Sequence, residues 1–217
     1  MDVAVIRQAM RSSEVSRTDL PKPNVNIGRL QAIREKYGSP VKFAERFSPS
    51  IQRRLRELGI DYVDASRYDY PTVGELREAY GVNVVHLWMC AMVENLNDFC
   101  GVKQKMTDEQ KEEVAHILMC ECTRLNIAEV ALFFDKIKRG VFGEYYGILD
   151  TVRTMKILKS FMAERSAAIN KQIELDEKAR LERLRNERSE NAMSPEELQE
   201  AIESGRFGNL KVLFGKK

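Results

Sequence analysis

The chain has 217 residues and a mass of 25.0 kDa, with 35 Lys and Arg against 33 Asp and Glu and a formal net charge of +2. Apolar residues at 43% and charged residues at 31% fit a globular protein and exclude wholesale disorder, because that much apolar side chain seeks burial. No apolar run reaches the roughly 20 residues that cross a bilayer, four Cys exclude a disulfide framework, and Met1-Asp2-Val3 lacks the basic start of a secretory signal. A reducing, cytoplasmic setting is the expectation.

The predicted elements are all helices, which makes the fold class all-α, a multi-helix bundle. Residues 1–60 read as a basic helical N-terminal module, with 12 Lys and Arg against 6 Asp and Glu. Short helices are expected near 29–37, 40–47 and 49–58. Ser39-Pro40 and Ser48-Pro49 each put a hydroxyl at the N-cap and Pro at the first helical position, where its missing N–H costs nothing. In the third helix Ile51, Leu55 and Leu58 form an apolar stripe, and Arg53, Arg54 and Arg56 project away from it. Residues 61–71, with Tyr62, Tyr68 and Tyr70 among aspartates, read as a turn-like linker.

Residues 72–165 read as a central bundle with helices at 73–80, 84–99, 108–125 and 127–139 and a fifth starting after Asp150. Thr72 with Glu75, Thr107 with Gln110 and Asn126 with Glu129 have capping-box spacing, as does Ser194 with Glu197 further on. The 84–99 helix is apolar nearly all round and is expected at the centre, with Trp88 as a core anchor. The 108–125 helix is expected to be half exposed. Residues 166–217 read as a charged helical arm, a short helix at 195–204 and an apolar-basic tail. Sustained heptads are missing, so a long coiled coil is not supported.

Several constellations bear on chemistry. His86 with Cys90, and His116 with Cys120, are spaced i, i+4 and would fall at similar heights in an antiparallel hairpin of 84–99 on 108–125. Two Cys and two His suit tetrahedral zinc. Against that, His116 and Cys120 lie on a polar helix face, so reduced thiols and no metal or other cofactor are expected. Glu113-x-x-His116 lacks the second copy that a di-metal bundle needs. No nucleophile elbow or phosphate loop occurs, so no catalytic residue is assigned. The run from Leu132 to Asp150 joins Lys136, Lys138 and Arg139 to a glycine-paced turn with Phe142, Tyr145 and Tyr146. Packing of those rings at the bundle's end is one reading. A base-stacking platform with phosphate-holding cations is the other. The segment 27–59 also admits a helix-turn-helix reading, with Gln52, Arg53 and Arg56 turned to DNA, against the plainer solvated basic helix. In the tail, Leu210, Val212, Leu213 and Phe214 form an apolar run that would fold back or dock on a partner.

Pro71-Thr72-Val73-Gly74-Glu75-Leu76, Trp88, Phe99-Cys100-Gly101-Val102-Lys103, Met106-Thr107, Phe133-Phe134, Lys138-Arg139-Gly140, Tyr146-Gly147-Ile148-Leu149-Asp150 and Glu164-Arg165 form a pattern across residues 70–166. It resembles an uncharacterised all-helical family of Bacteroidota, their mobile elements and phages. The resemblance implies a phage or mobile-element setting and supplies no activity. Size and layout alone are also similar to phage replicative helicase loaders, which is analogy.

The net charge of +2 is a cancellation. Residues 1–60 carry +6, 61–162 carry −4, 163–205 carry −4 and 206–217 carry +4. The expected function is a non-enzymatic accessory or adaptor protein. DNA or RNA would meet the basic N-terminal module at Arg53, Arg54 and Arg56 and the cations and rings of the 136–146 run. The alternative is a structural or assembly protein, with a protein partner or self-association through the C-terminal arm and tail. No membrane contact is expected.

Overall fold

The computed structural model describes residues 27–99, 105–143, 151–190 and 193–204, and among them every regular element is a helix. In chain order these are α1 (Ile27–Tyr37), α2 (Pro40–Arg46), α3 (Ile51–Glu57), α4 (Tyr62–Arg67), α5 (Val73–Tyr80), α6 (Val82–Phe99), α7 (Asp108–Glu121), α8 (Ile127–Lys138), α9 (Thr151–Glu190) and α10 (Pro195–Glu203). The expected caps form except at Ser48, whose hydroxyl bonds that of Ser50 and caps no helix. Ser39 Oγ accepts from the Lys42 amide with Pro40 at the first position. Thr72/Glu75, Thr107/Gln110 and Asn126/Glu129 make reciprocal capping boxes, and Ser194 and Glu197 bond in the same way.

At three places the chain departs from the expectation. Helix α3 starts at Ile51, because Ser48-Pro49-Ser50 forms a tight turn in which the Ile51 amide bonds the Ser48 carbonyl at 3.0 Å. The stretch read as a linker contains α4, started by an Asp61-x-x-Asp64 capping box. Two aspartates make that box less familiar than Ser/Thr with Glu, though the physics is the same: each carboxylate accepts one orphan amide. Ala65 on this helix is fully buried.

The third departure concerns the centre of the fold. Helix α6 buries Val85, Trp88, Met89, Met92, Val93 and Leu96 but leaves Leu87 69% exposed, so it is a side wall. The enclosed helix is α8, on which every side chain except Lys136 and Lys138 is buried. Its apolar residues face in all directions: Phe133 and Phe134 at 1% and 0% exposure, with Ile127, Val130, Leu132 and Ile137 around them. Full burial contributes roughly 1.5–3 kcal/mol for each such side chain.

Two carboxylates also go inside on α8, which would cost several kcal/mol each if they were left alone. Each has a guanidinium from another part of the chain. Asp135 Oδ1 accepts from Arg56 of α3 at 2.8 and 2.6 Å, and Arg139 Nε lies 2.8 Å from its Oδ2. Glu129 Oε1 accepts from Arg165 of α9 at 2.6 Å, and its Oε2 caps the Asn126 amide. The ion pairs therefore dock α3 and α9 onto α8.

A single apolar core runs through all this. Phe43 and Phe47 of the N-terminal helices pack with Tyr80 and Trp88, and the Trp88 indole donates to the Phe47 carbonyl at 2.8 Å. Residues 27–60 are thus part of the same core as 72–161. The segment 71–74 is stitched to 123–127 by backbone bonds, among them Gly74 N to Thr123 O at 2.9 Å. A Cβ on Gly74 would sit 3.1 Å from that carbonyl, so the close approach calls for glycine. Helix α9 has 40 residues and a length of about 60 Å. Beyond Phe161, none of its described side chains is fully buried.

Asn126 joins several of these links. Its Oδ1 caps α8, and its Nδ2 donates to the Ala65 and Tyr68 carbonyls at 2.9 and 3.4 Å. The Asn126→Ala variant should lose about 1 kcal/mol for the cap and about 1–3 kcal/mol for the buried carbonyl left unpaired. Urea unfolding monitored by circular dichroism measures the sum.

Candidate nucleic-acid interface

The three arginines of α3 have three different surroundings, because residues one and two apart on a helix point in different directions. Arg53 is exposed and pairs with Glu57 one turn on, at 2.9 Å. Arg56 turns inward to Asp135. Arg54 is exposed and has no acidic partner among the described residues. Gln52, expected to face DNA in a helix-turn-helix, is 2% exposed and donates to Met92 Sδ at 3.4 Å. With Gln52 buried and Arg56 held by Asp135, α3 presents no recognition face of that kind.

The cations of the 136–146 run are engaged within the fold. Lys136 Nζ lies 4.1 Å from the centre of the Tyr62 ring, and burial lowers its pKa. Tyr62 donates to Glu164 at 2.5 Å, with its own pKa pushed up mainly by burial. Lys138 bonds Asn95 and lies over the Phe99 ring. Arg139 is held at Asp135. Phe142 packs half-buried against the core, in line with the packing reading of that ring. Tyr145 and Tyr146 lie outside the described residues, as do Leu210, Val212, Leu213 and Phe214.

A different constellation forms beside Arg54. Helices α2 and α3, the turn between them and the Tyr68–Tyr70 segment enclose a cavity of about 140 Å³. Phe47, Ile51 and Leu55 line its apolar side, and Tyr68 and Tyr70 form an aromatic wall. Those two rings stack on each other, with centres 5.2 Å apart and planes at 18°. Tyr70 also meets the edge of Phe47 at 5.3 Å. Arg46 and Arg54, both exposed, complete the lining. The Arg46 guanidinium lies over the Tyr37 and Phe47 rings at 5.5 and 5.8 Å and has no acidic partner among the described residues.

The carboxylate nearest in sequence to the tyrosines is Asp69, and its charge is used elsewhere. Lys36 and Arg29 bond it at 3.1 and 3.0 Å and hold its pKa below the ordinary aspartate value. The cavity thus joins two guanidiniums that lack acidic partners among the described residues, Arg46 resting on the Tyr37 and Phe47 rings, to a pair of aromatic rings. Arg46, Tyr68 and Tyr70 were not singled out as binding residues from the sequence. The available signal was a pair of arginines eight apart across a Ser-Pro turn, followed by two tyrosines spaced i, i+2.

The histidine–cysteine constellation assembles only in part. Helices α6 and α7 form the expected antiparallel hairpin, crossed by Lys111 with Glu94 and by Lys105 with Asp98 at 2.6 Å. His86 lies opposite His116, ring centres 5.9 Å apart. Cys90 Sγ is 3.7 Å from His86 Nε2, and Cys120 Sγ is 3.9 Å from His116 Nε2. Each thiol lies one turn further along its own helix, and the helices run in opposite directions. With about 6 Å of rise per four residues, the Cα atoms of the two cysteines end up about 12 Å apart along the hairpin. Four ligands at zinc distances of roughly 2.0–2.3 Å cannot span that. The expected equal heights hold for the histidines and fail for the cysteines, because both pairs run His-then-Cys. No group of three or more His, Cys, Asp or Glu converges on a metal position among the described residues.

The thiols differ in reactivity. Cys122 is buried, which pushes its pKa up to about 12, and partial burial raises that of Cys90. Cys120 is exposed. Because thiolate is the reacting form, a raised pKa slows alkylation. With iodoacetamide at neutral pH, Cys120 should label before Cys90, and Cys122 only after unfolding. A time course read by peptide mass spectrometry checks the order.

Residues 105–207 match the model of a family described as a family of unknown function (DUF6633). No curated protein and no solved structure matches the chain. The matched segment covers α7 to α10, whereas the arginine–tyrosine cavity is built from residues 46–70.

Proposed function

We propose that the chain is a non-enzymatic accessory protein that holds nucleic acid against the face formed by Arg46, Arg53 and Arg54. The observation that carries this reading is the pair Arg46 and Arg54. Arg53, Arg56 and Arg139 pair with carboxylates, while these two line the aromatic cavity and have no acidic partner among the described residues, Arg46 lying over the Tyr37 and Phe47 rings. Phosphate contacts by Arg and Lys supply the sequence-independent part of nucleic-acid affinity. The setting in phage or mobile-element replication rests on the sequence resemblance alone.

A second reading, protein–protein contact through the arm, draws on a different feature. Ile173, Leu175 and Leu181 on α9 are exposed. On that reading the partner is protein and the cavity plays no part.

The test is fluorescence anisotropy with a labelled oligonucleotide across a salt series. Arg56 is left unchanged, because reversing it would set two carboxylates face to face inside the protein. The variant carrying Arg46→Glu and Arg54→Glu should bind at least about tenfold more weakly, with the salt slope reduced by about two. Its unfolding free energy should stay within about 1 kcal/mol of the parent, the scale of the Arg46 ring contacts. Absence of binding by the parent at low salt, or unchanged binding by the variant, would refute the reading.

A further inference from the structure

We infer that the cavity holds one unpaired nucleotide of a single strand, its base against the Tyr68 and Tyr70 rings and its phosphate between Arg46 and Arg54. This deepens the nucleic-acid reading above and rests on it.

Size is the first argument. Sites for whole cofactors or drug-sized ligands are commonly about 300–1,000 Å³. A cavity of about 140 Å³ admits one ring system and little else, so the rest of the ligand must lie outside it. The second argument is the wall. Tyr68 and Tyr70 are half-buried and parallel. They are also held in place: the Tyr68 carbonyl accepts from the Asn126 side-chain amide, and Tyr70 meets the edge of Phe47. A platform already in place loses little freedom when a base stacks on it.

Charge supplies the third argument. The two guanidiniums line the cavity from exposed side chains, and Asp69 is bonded to Lys36 and Arg29. A ring against the tyrosines with an anion on the guanidiniums is the chemistry of a nucleotide in a strand. A duplex keeps both faces of each base stacked, so a strand must be single, or a base must leave the stack, to reach the tyrosines.

The experiment compares a mixed-sequence single-stranded 12-mer with the same sequence as a duplex, at equal salt, by anisotropy. The parent should favour the single strand by at least about fivefold, the lower end of what stacking contributes per base. A 2-aminopurine placed in the strand should be quenched on binding. Tyr68→Leu should remove the preference and leave duplex binding unchanged, and Tyr68→Phe, which keeps the ring, should restore it. The 2-aminopurine readout uses only the parent, so it stands even where Tyr68→Leu lowers stability.

Equal affinity for both forms without quenching would overturn the base pocket, while loss of that binding in the Arg46→Glu/Arg54→Glu variant would leave the cationic face intact. No binding of either form would overturn both. A nucleoside monophosphate that displaces the strand at micromolar concentration would assign the cavity to a free nucleotide and overturn the strand inference.

Discussion

Asp135 is a carboxylate at 1% exposure in the middle of the most enclosed helix of the protein, and the arrangement around it depends on its being neutralised. Arg56 reaches it from α3 and Arg139 from the end of its own helix. Oδ2 lacks a well-aligned hydrogen bond even though Arg139 is close, so Arg56 carries the directional part of the pairing. A buried ion pair of this kind contributes little net stability over an apolar pair, but removing one partner is costly. Its effect is on specificity. Apolar contact alone would allow α3 to slide or rotate on α8; the ion pair selects one register. Glu129 with Arg165 does the same for α9.

That register decides which arginines are available. Once Arg56 faces α8, helical geometry turns Arg54 toward the Tyr68–Tyr70 segment and leaves Arg53 in solvent. The same α8 places the tyrosines, through Asn126 at its N-cap and the backbone bonds that bind 71–74 to 123–127. The candidate site and the core therefore share one support. The buried charges locate the helix, the helix locates the segment, and the segment supplies the aromatic wall.

Much of the helical layout was legible in the sequence, because capping boxes and αL glycines act locally. Gly38, Gly59, Gly81 and Gly140 all adopt positive φ where helices end. Helix α8 was harder to rank as central, because Glu129 and Asp135 interrupt its apolar pattern and their partners lie 36 and 79 residues away. By contrast α6, with an almost uninterrupted apolar sequence, leaves an open face where Leu87 and Val41 line a groove between α2 and α6. The roles of Arg53, Arg54 and Arg56 could not be separated from sequence, since the direction each takes has meaning only once α8 is beside α3. The histidine–cysteine pairs show the same limit. Their spacing was plain, and the antiparallel register that separates the thiols is a property of the hairpin.

Of the neighbouring arginines, Arg56 holds the fold, and Arg54 is the one proposed to meet a ligand. The direct measurement is urea stability and oligonucleotide affinity, side by side, for Arg54→Gln and Arg56→Gln. Arg56→Gln should lose about 1–3 kcal/mol of stability, given that its side chain is half exposed, while the folded fraction binds as the parent does. Arg54→Gln should keep its stability within about 0.5 kcal/mol and lose affinity. Equal losses of stability in both variants, or loss of affinity confined to Arg56→Gln, would contradict this division of roles.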